Sequence, residues 1–191
     1  MLINPYTLNW IKDFNDIKHK LENSLFGFDC TIEHVGSTSV PNLDSKPIID
    51  IDVIYYNLSD FEKIKSGLSE IGYYHNGNQG IEDRDVFKRD GKLIDEILDK
   101  INHHLYVCPV QSKALKRHIL SRNFLRKNDW ARLKYQRMKY EMAIEANQDK
   151  KVYAALKELN MNEFIDSIVE KEKQICNIDC QLPLAHSPRI K

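Results

Sequence analysis

Asp50 and Asp52 stand two residues apart inside the apolar run Ile48 to Tyr55, and the turn-forming tetrad Gly36-Ser37-Thr38-Ser39 precedes them. On a strand, side chains alternate between faces, so both carboxylates share one face while Ile49, Ile51 and Val53 pack on the other. Like charges this close raise each other's pKa and resist burial unless a cation neutralises them. Mg²⁺, or Mn²⁺, is the natural partner, being held by one or two carboxylates together with substrate phosphates. Such ions stabilise the attacking and leaving oxygens of an in-line phosphoryl displacement. Gly36 lets backbone N–H groups approach an anion, and the Ser37, Thr38 and Ser39 hydroxyls add donors. Alone, the tetrad reads better as a simple turn capping a helix. Beside Asp50-x-Asp52 it points to phosphate.

Other side chains could join this chemistry. His34, just before the glycine, could meet a phosphate or serve as a buried structural histidine, and Lys46 could neutralise a phosphate or pair with a carboxylate. His103 and His104 point to opposite faces of a strand, so at most one meets the carboxylates; His104, Arg89 and Lys157 are additional candidates. Arg122 and Arg126 lie one helical turn apart and, with Lys134, are either triphosphate ligands or solvated surface. Met138 and Met142, at the same spacing, read as core packing. Cys176, Cys180 and His186 fall one ligand short of a zinc set. No Walker A loop, dinucleotide-binding glycine fingerprint, Gly-x-Ser-x-Gly elbow or zinc-protease helix occurs.

The elements that must position these groups follow from periodicity. Thr7 is placed to cap a helix carrying Trp10, Phe14, Leu21 and Leu25 on one face and stopped by Gly27. Cys30 to Val35 reads as a strand ending at the glycine turn, and Ile48 to Tyr55 as a buried central strand. Ser59 and Glu62 suggest a capping box for a helix bearing Phe61, Ile64, Leu68 and Ile71. Asn76 to Gly80 reads as loop, Asp85 to Arg89 and His104 to Val110 as strands, and Leu93 to Ile101 as either helix or strand. Helical spacing then begins near Ser112, Asp129 and Lys150. The fold class predicted is α+β: a small mixed sheet flanked by helices over residues 1–110, a helical array over 111–175 packed on it, and a loosely ordered tail over 176–191.

The 191 residues are 42% hydrophobic and 29% charged, ordinary for a globular chain, and no apolar run approaches the roughly 20 residues of a membrane helix. Without a basic-then-apolar leader, and with four cysteines, the expectation is a cytoplasmic protein with reduced thiols and no membrane association. The zero net charge conceals an asymmetry: residues 1–110 hold 11 Lys and Arg against 18 Asp and Glu, and residues 111–157 hold 13 against 4. That basic block attracts phosphate or is simply a solvated face.

The segments His34 to Pro41 and Lys46 to Asp52 together resemble the signature of the GrpB family, a branch of the DNA polymerase β-like nucleotidyltransferase superfamily. Its pattern is Gly-Ser, a spacer of about ten residues, then Asp-x-Asp; twelve residues separate Ser37 from Asp50. Phe87-Lys88-Arg89, His103-His104-Leu105, Arg122 to Arg126, and Tyr153 with Lys157 extend the resemblance in order along the chain. It implies the nucleotidyltransferase-like fold and metal-dependent nucleotidyl transfer, without specifying a substrate. Two features depart from it. The superfamily's third carboxylate has no counterpart on the strand His103 to Val107, leaving Asp85, Asp90 or Asp95 as candidates, and Tyr106 and Asn123 stand where the family pattern has histidine and aspartate.

The leading expectation is therefore a Mg²⁺-dependent nucleotidyltransferase in which Asp50 and Asp52 bind metal, Gly36 and Ser37 hold phosphates, and the basic helices close the pocket over a nucleoside triphosphate and an unidentified acceptor. The missing third acid motivates an alternative, a non-catalytic nucleotide- or phosphometabolite-binding protein on the same fold. An RNA-binding accessory role is disfavoured by the scarcity of aromatic residues among the basic helices.

Overall fold

The computed structural model describes residues 1–175, so the Cys176, Cys180 and His186 reading and the 176–191 tail lie outside the described residues. Five strands form one mixed sheet: β1 (Cys30–Val35), β2 (Ile49–Tyr55), β3 (Tyr73–His75), β4 (Asp85–Arg89) and β5 (His103–Pro109), in the order β1-β2-β5-β4-β3. Only β2 and β5 run parallel; every other neighbouring pair is antiparallel. The helices are α1 (Asn9–Ser24), α2 (Phe61–Glu70), α3 (Lys113–Lys127), α4 (Asp129–Glu145) and α5 (Lys150–Ile175). This is the α+β architecture expected, a mixed sheet flanked by helices.

Alternation along the strands divides the core. Ile32, Ile51, Val53, Leu105, Val107 and Phe87 point to one side, where Trp10, Phe14, Ile17 and Leu21 of α1 and Ile64 and Leu68 of α2 cover them. On the other side Val35, Ile54 and Cys108 meet Leu115 and Ile119 of α3. A third cluster joins α3, α4 and α5 through Phe124, Tyr135, Met142, Tyr153, Ile165 and Ile168. Leu2, Ile3, Val40 and Leu43 enter it from the N-terminal half and tie the helices to the segment between β1 and β2. Met142 is buried there and Met138 packs against it, the packing role their spacing suggested.

Several local expectations change. The Ser59–Glu62 capping box does not form: Ser59 belongs to a 3-10 turn, Leu58–Asp60, and α2 starts after Asp60 with no side-chain cap. Asp60 instead bonds to Asn57 and Lys63, which removes it from the helix amides. Leu93 to Ile101 is neither helix nor strand but a run of turns held by Asp95, whose Oδ1 accepts the amides of Ile97 and Leu98 at 2.9 Å. Tyr73–His75, too short for its period to show in sequence, pairs with β4. Asp149 caps α5 by accepting the amides of Lys151 and Val152 at 2.8 Å. None of the described helices is long and apolar enough to cross a membrane.

Candidate functional site

Strand register brings the polar groups together. Asp50 lies opposite His104, and Asp52 opposite Tyr106, on the parallel β2–β5 pair, and the face they share turns toward α3 rather than α1 and α2. Asp52 is fully buried; the Asp50 side chain keeps 29% exposure. Each carboxylate holds a histidine. His104 Nδ1 donates to Asp50 Oδ1 at 2.9 Å, and His118 Nδ1, from α3, donates to Asp52 Oδ2 at 2.9 Å. Asp52 Oδ1 is buried with no hydrogen-bond partner among the described residues.

These contacts set the proton affinities. Burial pushes the Asp50 carboxyl up, but the His104 hydrogen bond and the charges of His104, Lys157 and His118 outweigh it and leave the group below its ordinary value. Burial pulls His118 down, while the charge and hydrogen bond of Asp52 and the charge of Asp50 hold it above 6.5.

Gly36 meets Asp50 directly. Its backbone sits at φ +70°, ψ −170°, a region essentially reserved for glycine, and a Cβ there would lie 2.2 Å from Asp50 Oδ2. Ser37 faces the same cleft with a hydroxyl that bonds to no protein group among the described residues. The other two hydroxyls of the tetrad are spent inside the loop. Thr38 Oγ1 reaches the Ile48 carbonyl at 3.3 Å and His34 Nε2 at 3.0 Å, and Ser39 Oγ donates to the Gly36 carbonyl at 2.6 Å. His34 itself is buried and stacked on Phe14 with ring centroids 4.6 Å apart, and burial pushes its pKa down to about 4. It is a neutral brace for the loop, on the α1 side of the sheet.

The cleft has a volume of about 410 Å³ between the sheet and the helices, with Gly36, Ser37, Lys46, Asp50 and His104 on one side and Lys139 and Lys157 on the other. Lys46 stands 4.5 Å from the Tyr153 ring centroid; burial and the charges of Lys157 and Lys150 lower its pKa, against a smaller pull from Asp50. Lys139 is buried, bonded to the Asp44 carbonyl and held well below the usual lysine range by burial and by Lys157. Three lysines thus converge on the cleft that Asp50 enters, and Lys157 is held above the usual lysine value by Tyr135 and Asp50 against the pull of burial.

Four candidates lie elsewhere. Arg122 bonds Glu33 at 2.6 Å and the His34 carbonyl at 2.8 Å, and Arg126 grips the Ser39 carbonyl with Nε and Nη2 at 3.0 and 2.7 Å; both brace the β1–β2 connection from behind. Lys134 lies over the Phe164 ring, 5.1 Å from its centroid, outside the cleft. Arg89 is locked by Asp99 at 2.5 Å and by the Ile71 and Leu93 carbonyls. The three candidate third acids are likewise taken: Asp85 by His75, Asp90 by Lys92 and Asp95 by Lys20. Among the described residues no three His, Cys, Asp or Glu side chains converge as a metal site. His118 escaped the sequence reading, although its spacing from Leu115 and Ile119 puts it on the face of α3 turned to the sheet.

The family model described as GrpB protein matches residues 1–171. Among curated proteins, the glutamate-rich protein GrpB of Alkalihalophilus pseudofirmus is 30% identical over 90% of this chain and 95% of its own. The UPF0157 protein YqkA of Bacillus subtilis is 29% identical over 73% of this chain, which spans only 39% of that relative's length. Among solved structures, the conserved protein GrpB from Enterococcus faecalis superposes with a TM-score of 0.71 at 27% identity, covering 88% of this chain and 98% of that one.

Proposed function

The chain belongs to the GrpB family, and from that membership and the chemistry of its cleft we propose a Mg²⁺-dependent nucleotidyltransferase, or one using Mn²⁺. One observation carries the reading: a fully buried carboxylate oxygen, Asp52 Oδ1, has no hydrogen-bond partner among the described residues on the face it shares with Asp50. A buried anionic oxygen left unmet costs free energy unless a ligand meets it. Hard oxygen donors suit Mg²⁺, which is commonly bound by one or two carboxylates plus substrate phosphates, so Asp50 and Asp52 would hold it. When bound, the ion would neutralise charge on the transferring phosphoryl group.

The remaining work falls to the chain's own groups. Gly36 leaves room for a phosphate beside the loop, Ser37 offers a free hydroxyl, and Lys46 and Lys157 supply positive charge across the cleft. His104 and His118 orient the carboxylates through Nδ1. In the reaction an acceptor hydroxyl forms a bond to the α-phosphorus of a nucleoside triphosphate, the bond to the bridging oxygen breaks, pyrophosphate departs and the hydroxyl proton passes to solvent.

Calorimetry with Mg²⁺ and a nonhydrolysable nucleoside triphosphate tests the site. Wild type binds both, and Asp50→Asn with Asp52→Asn abolishes metal-dependent binding; unchanged binding by the double variant would overturn the assignment. The histidines paired to both carboxylates, and the lack of a third acid among the described residues, favour a second reading: a nucleotide- or phosphometabolite-binding protein without transfer. Nucleotide binding with no pyrophosphate release across a broad acceptor screen would select it.

A further inference from the structure

Arg84, just before β4, has no carboxylate partner among the described residues, and its Nε is buried without a hydrogen bond. Its guanidinium lies over the Tyr106 ring, 4.6 Å from the centroid. Stacking of this kind fixes the plane of the group while leaving its N–H edge free for an oxyanion. Arg84, His104 and Tyr106 line both the lysine cleft and a neighbouring cavity of about 530 Å³, so the two spaces meet beside Asp50. In that second cavity the acid Asp99 is already paired with Arg89, which leaves Arg84 and Lys88 as cations without an acid partner among the described residues. The cavity also offers Gln79, Asn102 and His103 as polar lining.

We propose that this second cavity is a separate ligand subsite anchored by Arg84, and that its occupant is a small molecule carrying a carboxylate or phosphate group. The inference rests on the nucleotidyltransferase reading in one respect: if nucleotide occupies the lysine cleft, the Arg84 subsite takes the acceptor. An unpaired guanidinium on a fixed ring recognises an oxyanion through paired N–H donors, a geometry a lysine does not reproduce. Tyr106 is the platform that sets this geometry.

Titration of ¹⁵N-labelled protein, followed at the Arg84 Nε–H resonance, tests the subsite. The probes are succinate and inorganic phosphate, with chloride at matched ionic strength as control and the Mg²⁺ complex of a nonhydrolysable nucleoside triphosphate present or absent. The expected result is a saturable shift with one or both oxyanions and none with chloride, persisting when the nucleotide is bound. Tighter binding of succinate identifies a carboxylate ligand; tighter binding of phosphate identifies a phosphorylated one. Arg84→Lys, which keeps the charge, weakens oxyanion binding at least tenfold, as measured by calorimetry with the same two oxyanions. A resonance that ignores both oxyanions, or responds equally to chloride, overturns the proposal, as does displacement of the oxyanion by nucleotide. If wild type binds oxyanion at Arg84 but no nucleotide at all, the subsite stands and the nucleotidyltransferase reading falls.

Discussion

His118 on α3 donates Nδ1–H to Asp52 Oδ2 on β2 across 2.9 Å, joining a half-buried imidazole to a fully buried carboxylate sixty-six residues away. Removing one partner of such a pair strands the other charge in a poorly solvated place. His118→Ala should therefore lower stability by about 2–4 kcal/mol, measured by urea unfolding. If Asp52 is a metal ligand, Mg²⁺ should raise the melting temperature of this variant more than that of wild type. The freed carboxylate then gains in the cation what it lost in the imidazole. Equal shifts in both proteins would argue against that ligand.

The two histidines flanking the site impose opposite pH dependences. His34 has its folded pKa pushed down to about 4 by burial, so the unfolded chain binds a proton that the folded one refuses. Stability from its neutral form is present above about 6.5 and lost as pH falls toward 4, by about 3 kcal/mol. His103, also lowered by burial, adds in the same direction. His118 is raised, chiefly by Asp52 against the pull of burial, so its contribution is complete below about 6.5 and disappears as pH rises through its folded value. Stability should peak near pH 6.5, as read from urea midpoints. His34→Gln should flatten the acid limb, and His118→Gln the alkaline one.

Gly36→Ala should cost about 1–3 kcal/mol from backbone conformation alone. It should also push the Asp50 carboxylate away from the loop, because its Oδ2 lies where the new methyl must go. The expected outcome is a folded protein with a lower melting temperature and no measurable metal-dependent nucleotide binding by calorimetry. Wild-type affinity in this variant would show that the close approach of Gly36 to Asp50 is not part of the binding geometry.

What sequence disclosed and what it withheld divide along physical lines. Strand alternation put Asp50 and Asp52 on one face, and helical periodicity located α3, α4 and α5, because both are local consequences of backbone geometry. Which partner a charged side chain chooses is a tertiary matter. Arg122 and Arg126 do share a helix face, but that face meets Glu33 and the Ser39 carbonyl rather than open space. His104 could be placed on the carboxylate side only as one of two options, and His118 required knowing that α3 lies across β2. Arg84 gave no signal, since a missing partner is invisible until every neighbour is placed.

Bracing and binding cations should separate cleanly on mutation. Arg122 is almost buried, with 10% of its side chain exposed, and holds Glu33 and the His34 carbonyl, so Arg122→Ala should lose about 2–3 kcal/mol of stability. Where the variant remains folded, nucleotide affinity should stay within about twofold of wild type, since an affinity change of that size is only a few tenths of a kcal/mol. Lys46 is different: its charge is disfavoured by burial and by Lys157 and Lys150, with little to offset it before a ligand arrives. Lys46→Met should leave stability within about 0.5 kcal/mol of wild type, while lost phosphate attraction weakens nucleotide binding about tenfold, or ~1.4 kcal/mol. Unfolding curves and calorimetry on the two variants give the comparison. Were Arg122→Ala to lose affinity without losing stability, the arginine would belong to the binding site after all.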